Sequence, residues 1–197
     1  METNDKELSP QESIELIRSM IAKTKTAVAD NSFYLLFWGW LVFGCCITQY
    51  ILKVYIHYPN HYFVWWLTPL GGVVSGIYGS RQAKRQRVKT FVEEALDYVW
   101  ISLMLSFIVL VIVNMTGNEW AHAFTYYILI YAIGTFITGS LIRFRPLVIG
   151  GIINFALAAV SVQFSYDDQL LVGALALLIS YIIPGHLLRI SHKKNYK

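Results

Sequence analysis

The chain has 197 residues, of which 56% are hydrophobic, 15% aromatic and only 14% charged, with a formal net charge of +4. Soluble domains carry roughly 25% charged residues, so this surface cannot be coated for water, and a mean hydropathy of +0.49 excludes a disordered chain and weighs heavily against a soluble enzyme. Cys45 and Cys46 are adjacent in an apolar run, so they make neither a disulfide framework nor a four-ligand zinc site.

Residues 1–32 read as a cytosolic amphipathic helix. Ser9 is a natural N-cap, Pro10 suits the first helical position, and Glu12 completes a capping box. Ile14, Ile17, Ile21 and Val28 follow at helical spacing, while Glu15, Arg18, Lys23 and Lys25 face away. About thirty residues cannot bury a core of their own, so this segment lies on the inner leaflet or serves as a docking surface.

A bilayer-crossing helix needs about 20 mostly apolar residues. Six such runs follow, at 33–52, 62–80, 98–115, 120–142, 147–164 and 169–188, and no Lys, Arg, Asp or Glu falls inside them. The fold class is therefore all-α: a six-span transmembrane helical bundle over 33–188, with a basic cytosolic tail at 189–197. The fifth and sixth runs are short and joined only by Ser165-Tyr166-Asp167-Asp168, which leaves a re-entrant pair as an alternative.

Fifteen of the sixteen Lys and Arg lie in the segments on one side of these runs, and Lys53 alone lies on the other. The positive-inside rule then makes both termini cytoplasmic, in a bacterial inner membrane. No cleavable signal peptide is expected, because the first apolar run starts at Phe33 and is long enough to span. Arg81, Lys84, Arg85, Arg87 and Lys89 continue the period of the second run, so that helix should extend into the cytosol. Anionic headgroups account for these charges without a nucleic-acid partner. Tyr50, Tyr55, Tyr58, Tyr62, Trp65, Trp66 and Trp120 sit toward the outer ends, as an interfacial belt would.

The even-numbered runs close alike, with Ser75-Gly76 before Arg81, Thr138-Gly139 before Arg143 and Pro184-Gly185 before Arg189, which suggests three tandem helical hairpins. Gly72 with Gly76, and Thr135 with Gly139, are small-xxx-small steps suited to close packing, Gly150 and Gly151 open the fifth run, and Pro69 and Pro184 are candidate kinks.

Chemistry is sparse. Asn154 is the most polar residue at depth, read as an interhelical hydrogen bond or a substrate contact. His57, His61 and His122 share the outer side with Glu119, Asp167 and Asp168, a loose basis for a metal site, and Pro59 breaks the spacing. No nucleophile elbow, zinc-protease motif or phosphate loop is present, so no catalytic, cofactor or metal residue is assigned.

Pro10-Gln11-Glu12-Ser13, Leu36-Phe37-Trp38-Gly39-Trp40, the stretch from Pro69 to Tyr78 and Tyr181-Ile182-Ile183-Pro184-Gly185-His186 together resemble a group of small multi-span inner-membrane proteins of Bacteroidota. The resemblance implies a membrane component of signalling or stress response, encoded beside a winged-helix regulator, and transfers no site residues. The expected function is a non-enzymatic interaction or regulatory protein, with Ile14, Ile17, Ile21, Arg81, Lys84, Arg85 and Arg87 as its partner or lipid surface. The alternative is a small channel or carrier for a neutral solute, lined by Asn154 and the glycines of the second, fourth and fifth runs.

Overall fold

In hydrocarbon every backbone N–H and C=O must find its partner within the protein, and an α-helix satisfies this locally. The charge-free runs take that form. The computed structural model describes residues 32–85, 91–118 and 120–194, together with Gln11 and Ile14, and no strand occurs among them. Ile14 is helical and exposed, whereas Ile17, Ile21 and Arg87 lie outside the described residues.

Helix α1 covers Ser32–Tyr50 and runs on through a π turn, Ile51–Tyr55. A 3-10 turn, His61–Trp66, leads into α2, Leu67–Arg85. Then come α3 (Phe91–Gly117), α4 (Ala123–Leu141), α5 (Arg145–Ser161) and α6 (Tyr166–Leu177), which continues through a second π turn, Leu178–Ile182, into α7 (Ile183–Lys194). These make six helical rods. Four stretches are long and apolar enough to cross a bilayer: Ser32–Tyr55, Phe91–Gly117, Ala123–Leu141 and Tyr166–Ile190. That is the mark of a membrane protein. Helix α5, with 17 residues, is shorter, about 26 Å at 1.5 Å per residue.

Each charge-free run contains a helix, with shifted limits. The second rod becomes α-helical only at Leu67, because the aromatic residues before it form the 3-10 turn. Pro69 therefore sits in the first turn of α2, where its missing N–H costs nothing, and it does not kink the rod. Helix α2 continues through Arg81 and Lys84 to Arg85, as the sequence period indicates. Helix α3 starts seven residues before its apolar run and places Glu93 and Glu94 in its first turn, beside the helix's positive end.

Successive rods alternate in direction. Ser32 and Arg189 line one groove at one end of the bundle, while Lys53 pairs with Asp167 at the other. Gln169 Nε2 donates to the carbonyls of Ala121 (2.8 Å) and Phe164 (3.0 Å), which puts the α5–α6 loop level with the α3–α4 loop. The α5–α6 hairpin thus turns at the same end of the bundle as the α3–α4 loop. Its turn is held by a reciprocal cap: Ser165 Oγ donates to Asp168 Oδ2 (2.7 Å) and accepts from Asp168 N (3.3 Å).

Lipid supplies no hydrophobic drive between helices, so close approach at small residues has to hold them together. A Cβ on Gly151 would lie 2.8 Å from Phe136 N and Cα, and one on Gly139 would lie 2.7 Å from Val148 N, so α4 and α5 touch backbone to backbone. Gly150 meets Ser180 Cα in the second π turn at 3.0 Å, and Gly39 meets Tyr181 Cβ there at 3.0 Å. Rods α1, α4, α5 and α6–α7 form the core, with Leu147, Leu170 and Ala132 fully buried. Helix α3 packs on α4 through Trp100 and Leu103 over Gly134, and only 11% of its apolar window is buried, against 56% for the last rod. Helix α2 leans on α1 through Gly71, under Leu41, and through Tyr78, stacked on Phe33 at 4.3 Å.

A Cβ on Gly72 or Gly76 would meet nothing within 4 Å, so that small-xxx-small step is not used among the described residues. Gly139 at the matching place on α4 is packed tightly, and Gly185 on α7 lies 3.0 Å from Leu36. The three similar rod endings therefore occupy three different environments, and the closest backbone-to-backbone approach at a glycine joins α4 to α5, across the boundary of two sequence hairpins.

Candidate functional site

The densest polar chemistry lies at the end of the bundle that carries Lys53. Gln49, the next-to-last residue of α1, is fully buried. Its Oε1 accepts from Trp65 Nε1, and its Nε2 donates to Tyr166 Oη at 3.2 Å and to His61 Nδ1 at 3.1 Å. An amide NH2 only donates, so His61 Nδ1 accepts and the ring is neutral with its proton on Nε2. The π turn that ends α1 carries Lys53 over the face of Tyr166, 4.4 Å from its centroid, and onto Asp167. Phe124 of α4 packs on both Trp65 (5.7 Å) and Tyr166 (5.5 Å). Burial pushes the His61 imidazole below its ordinary value, the Lys53 charge adds to this, and Asp167 opposes it.

This cluster ties α1, the 3-10 turn and α6 together at one level. It corrects two expectations. Trp65 is not part of an interfacial belt: the 3-10 turn points it inward onto Gln49, while Trp66 beside it stays 69% exposed with Tyr55. His57 and His61 do not converge either. His57 adopts a left-handed backbone (φ 56°) in the turn and its Nδ1 lies 3.3 Å from Tyr55 O, while His61 serves Gln49. Among the described residues no three His, Cys, Asp or Glu come together in a way that would hold a metal ion.

Asn154 lies at depth on α5 with no exposed surface, and its Nδ2 donates to Ser180 Oγ at 2.9 Å. Ser180 sits in the second π turn, two residues after which Ile182 gives way to α7 and Pro184. Proline has no N–H for the carbonyl four residues back, so the helix is free to widen there, and the bulge carries Ser180 against Gly150 and Asn154. Among the described residues Asn154 Oδ1 finds no hydrogen-bond partner and Tyr181 Oη none of good geometry. Two further polar pairs brace the interior, Thr125 with Ser161 (2.8 Å) and Asn114 with Tyr127 (3.2 Å).

No family model, curated protein or solved structure matches this chain. Function has to be argued from its own residues.

At the opposite end α2 and α3 outrun their apolar stretches. Helix α2 carries Arg81, which is exposed, and Lys84 and Arg85 in its last turn and a half, while α3 begins at Phe91, 82% exposed, with Glu93, Glu94 and Asp97 before the apolar run. Of the residues expected to form a partner surface, the structure thus places Arg81, Lys84 and Arg85 on one projecting helix end. Between α1 and α7 at the same end runs an apolar groove of 690 Å³, with Ser32, Phe33, Leu36 and Trp40 in its wall and Arg189 at its mouth. A second, of 390 Å³, lies between α1 and α2 and is lined by Gly44, Thr48, Leu70 and Val74 among others. Neither groove includes Asn154.

Proposed function

We propose that the protein is a six-span, non-enzymatic component of a bacterial inner membrane, with both termini cytoplasmic, whose cytosolic face docks a protein partner or a second copy. The observation that supports this reading most is the asymmetry between the two ends. At the outer end Gln49, His61, Trp65 and Tyr166 form one hydrogen-bonded cluster between rods. At the inner end α2 and α3 project about 7 Å and 10 Å beyond their apolar runs, taking five and seven residues at 1.5 Å each, and present a basic helix end beside an acidic one. The amphipathic segment with Ile14, Ile17 and Ile21 enters the membrane domain at this same end.

In-cell crosslinking, followed by affinity purification and mass spectrometry, tests the reading. A stoichiometric cytosolic protein or a defined homo-oligomer should be recovered from wild type and lost from the Ile17→Glu/Ile21→Glu and Arg81→Glu/Arg85→Glu variants. A wild-type protein that is recovered only as a monomer overturns it. The second reading, a carrier for a neutral solute, draws on Asn154 Oδ1 and Tyr181 Oη, without well-formed hydrogen bonds among the described residues, beside a π turn. Solute flux into liposomes that falls on Asn154→Leu would favour it over docking.

A further inference from the structure

The two apolar grooves share Phe37 and Leu41 in their walls, so they adjoin along one side of α1. From Ser32 at the mouth to Gly44 is twelve residues, about 18 Å along the helix, slightly more than half of a hydrocarbon core of roughly 30 Å. The wall over that distance is Phe33, Leu36, Phe37, Trp40 and Leu41, carbon almost throughout. At the mouth stands Arg189, exposed, with no ion pair among the described residues. Polypeptide inserted here would bring backbone N–H and C=O groups into a wall without partners for them, whereas an acyl chain makes no such demand. A guanidinium at the inner interface above an apolar furrow complements a phosphate on a hydrocarbon tail.

We propose that this furrow holds one anionic glycerophospholipid of the cytoplasmic leaflet, its phosphate at Arg189 and one acyl chain lying along Phe37 and Leu41 as far as Gly44. This rests on reading the Arg189 end as the inner face of a membrane protein. Gly44 makes the site testable from its far end: a Cβ there meets nothing within 4 Å, so a larger side chain enters the furrow without disturbing a helix contact.

The experiment is native mass spectrometry of the full chain released from nanodiscs of equal parts phosphatidylglycerol and phosphatidylcholine. Wild type should keep one phosphatidylglycerol per chain. Arg189→Gln should lower its occupancy about fivefold, the effect of about one charge at an anionic interface, and Arg189→Lys should restore most of it. Gly44→Leu should displace dioleoyl lipid and leave a short-chain phosphatidylglycerol bound. Equal retention of both headgroups, or an occupancy indifferent to Arg189→Gln or to Gly44→Leu, overturns the proposal. Carbonate extraction of the same membranes reads insertion alone. A wild type that is extracted refutes the membrane reading, whereas one that stays inserted but shows no lipid preference refutes only the site.

Discussion

Gly151→Ala should destabilise the bundle, and Gly76→Ala should not. The added methyl at 151 would stand 2.8 Å from Phe136 N and Cα, against the 3.4–4 Å of ordinary van der Waals contact, so α4 and α5 must move apart by about 0.6 Å or more. Those opposing atoms are backbone and cannot rotate aside. Overpacking of this kind costs about 1–3 kcal/mol, and the better helix propensity of Ala returns at most about 1. The propensity gain is common to both variants, so Gly151→Ala should fall below Gly76→Ala by about 1–3 kcal/mol, an apparent midpoint lower by about 2–12 °C for a chain of this size. At Gly76 the same methyl meets nothing within 4 Å, so only the propensity gain remains and the midpoint should hold or rise. Thermal unfolding of both variants in one detergent, followed by circular dichroism, reads the difference. If Gly151→Ala unfolds no earlier than Gly76→Ala, then α4 and α5 do not meet backbone to backbone and the core assignment fails.

Three further outcomes concern the Gln49 cluster. Gln49→Leu removes three hydrogen bonds and leaves Trp65 Nε1 without its acceptor, so it should cost about 2–4 kcal/mol in the same assay, while Trp65→Phe, which removes one, should cost about 1. Lys53 and Asp167 are each about one-third exposed, so a double-mutant cycle of Lys53→Ala and Asp167→Ala should give a coupling of about 0.5–1 kcal/mol that shrinks in high salt. The folded state holds His61 below its ordinary value of 6.5, so the unfolded chain takes the proton first. Its contribution is present above about pH 6.5 and is lost as pH falls from there toward the folded value; midpoints measured from pH 5 to 8 should drop on the acid side in wild type, and this limb should flatten in His61→Gln.

The helices were legible because the demand behind them is local: a charge-free run of apolar residues has to pair its own backbone groups, and every run contains a rod. The limits were less so. Nothing in the run from His61 to Trp66 distinguishes a 3-10 turn from the start of an α-helix, and with that turn goes the direction of Trp65. The polar cluster joins Gln49 to Tyr166 across 117 positions, and no period relates them. Charge did offer a hint, since Lys53 is the lone cation on a side that holds Asp167. Ser165 and Asp168 are spaced as a capping box and mark the start of α6 directly. The small residues show the opposite case: Gly72/Gly76 and Thr135/Gly139 are the same pattern, yet among the described residues only the second pair is packed, with Thr135 fully buried and Gly139 against Val148, because the pattern permits a close approach and the partner helix decides whether one is made.

The uneven burial of the rods bears on where a partner's binding would be felt. Rods α1, α4, α5 and α6–α7 are locked by glycine contacts, by buried Asn154 and Ser180, and by the Gln49 cluster, so displacing any one of them breaks several contacts together. Helix α2 buries only Gly71 among its residues up to Arg81, and α3 buries Leu96, Leu103 and Asn114. Shifting these two relative to the core therefore costs the least, and they are the two that outrun their apolar stretches at the Arg189 end. A ligand biases an equilibrium only through states it can tell apart, and the cheapest alternative states of this bundle are those in which α2 moves along α1. The proposed lipid would sit beside that contact, against Phe37 and Leu41, so headgroup composition and docking at Arg81 and Arg85 should be coupled. Affinity for the partner recovered by crosslinking, measured in nanodiscs with and without phosphatidylglycerol, should differ in wild type and lose that difference in Gly44→Leu.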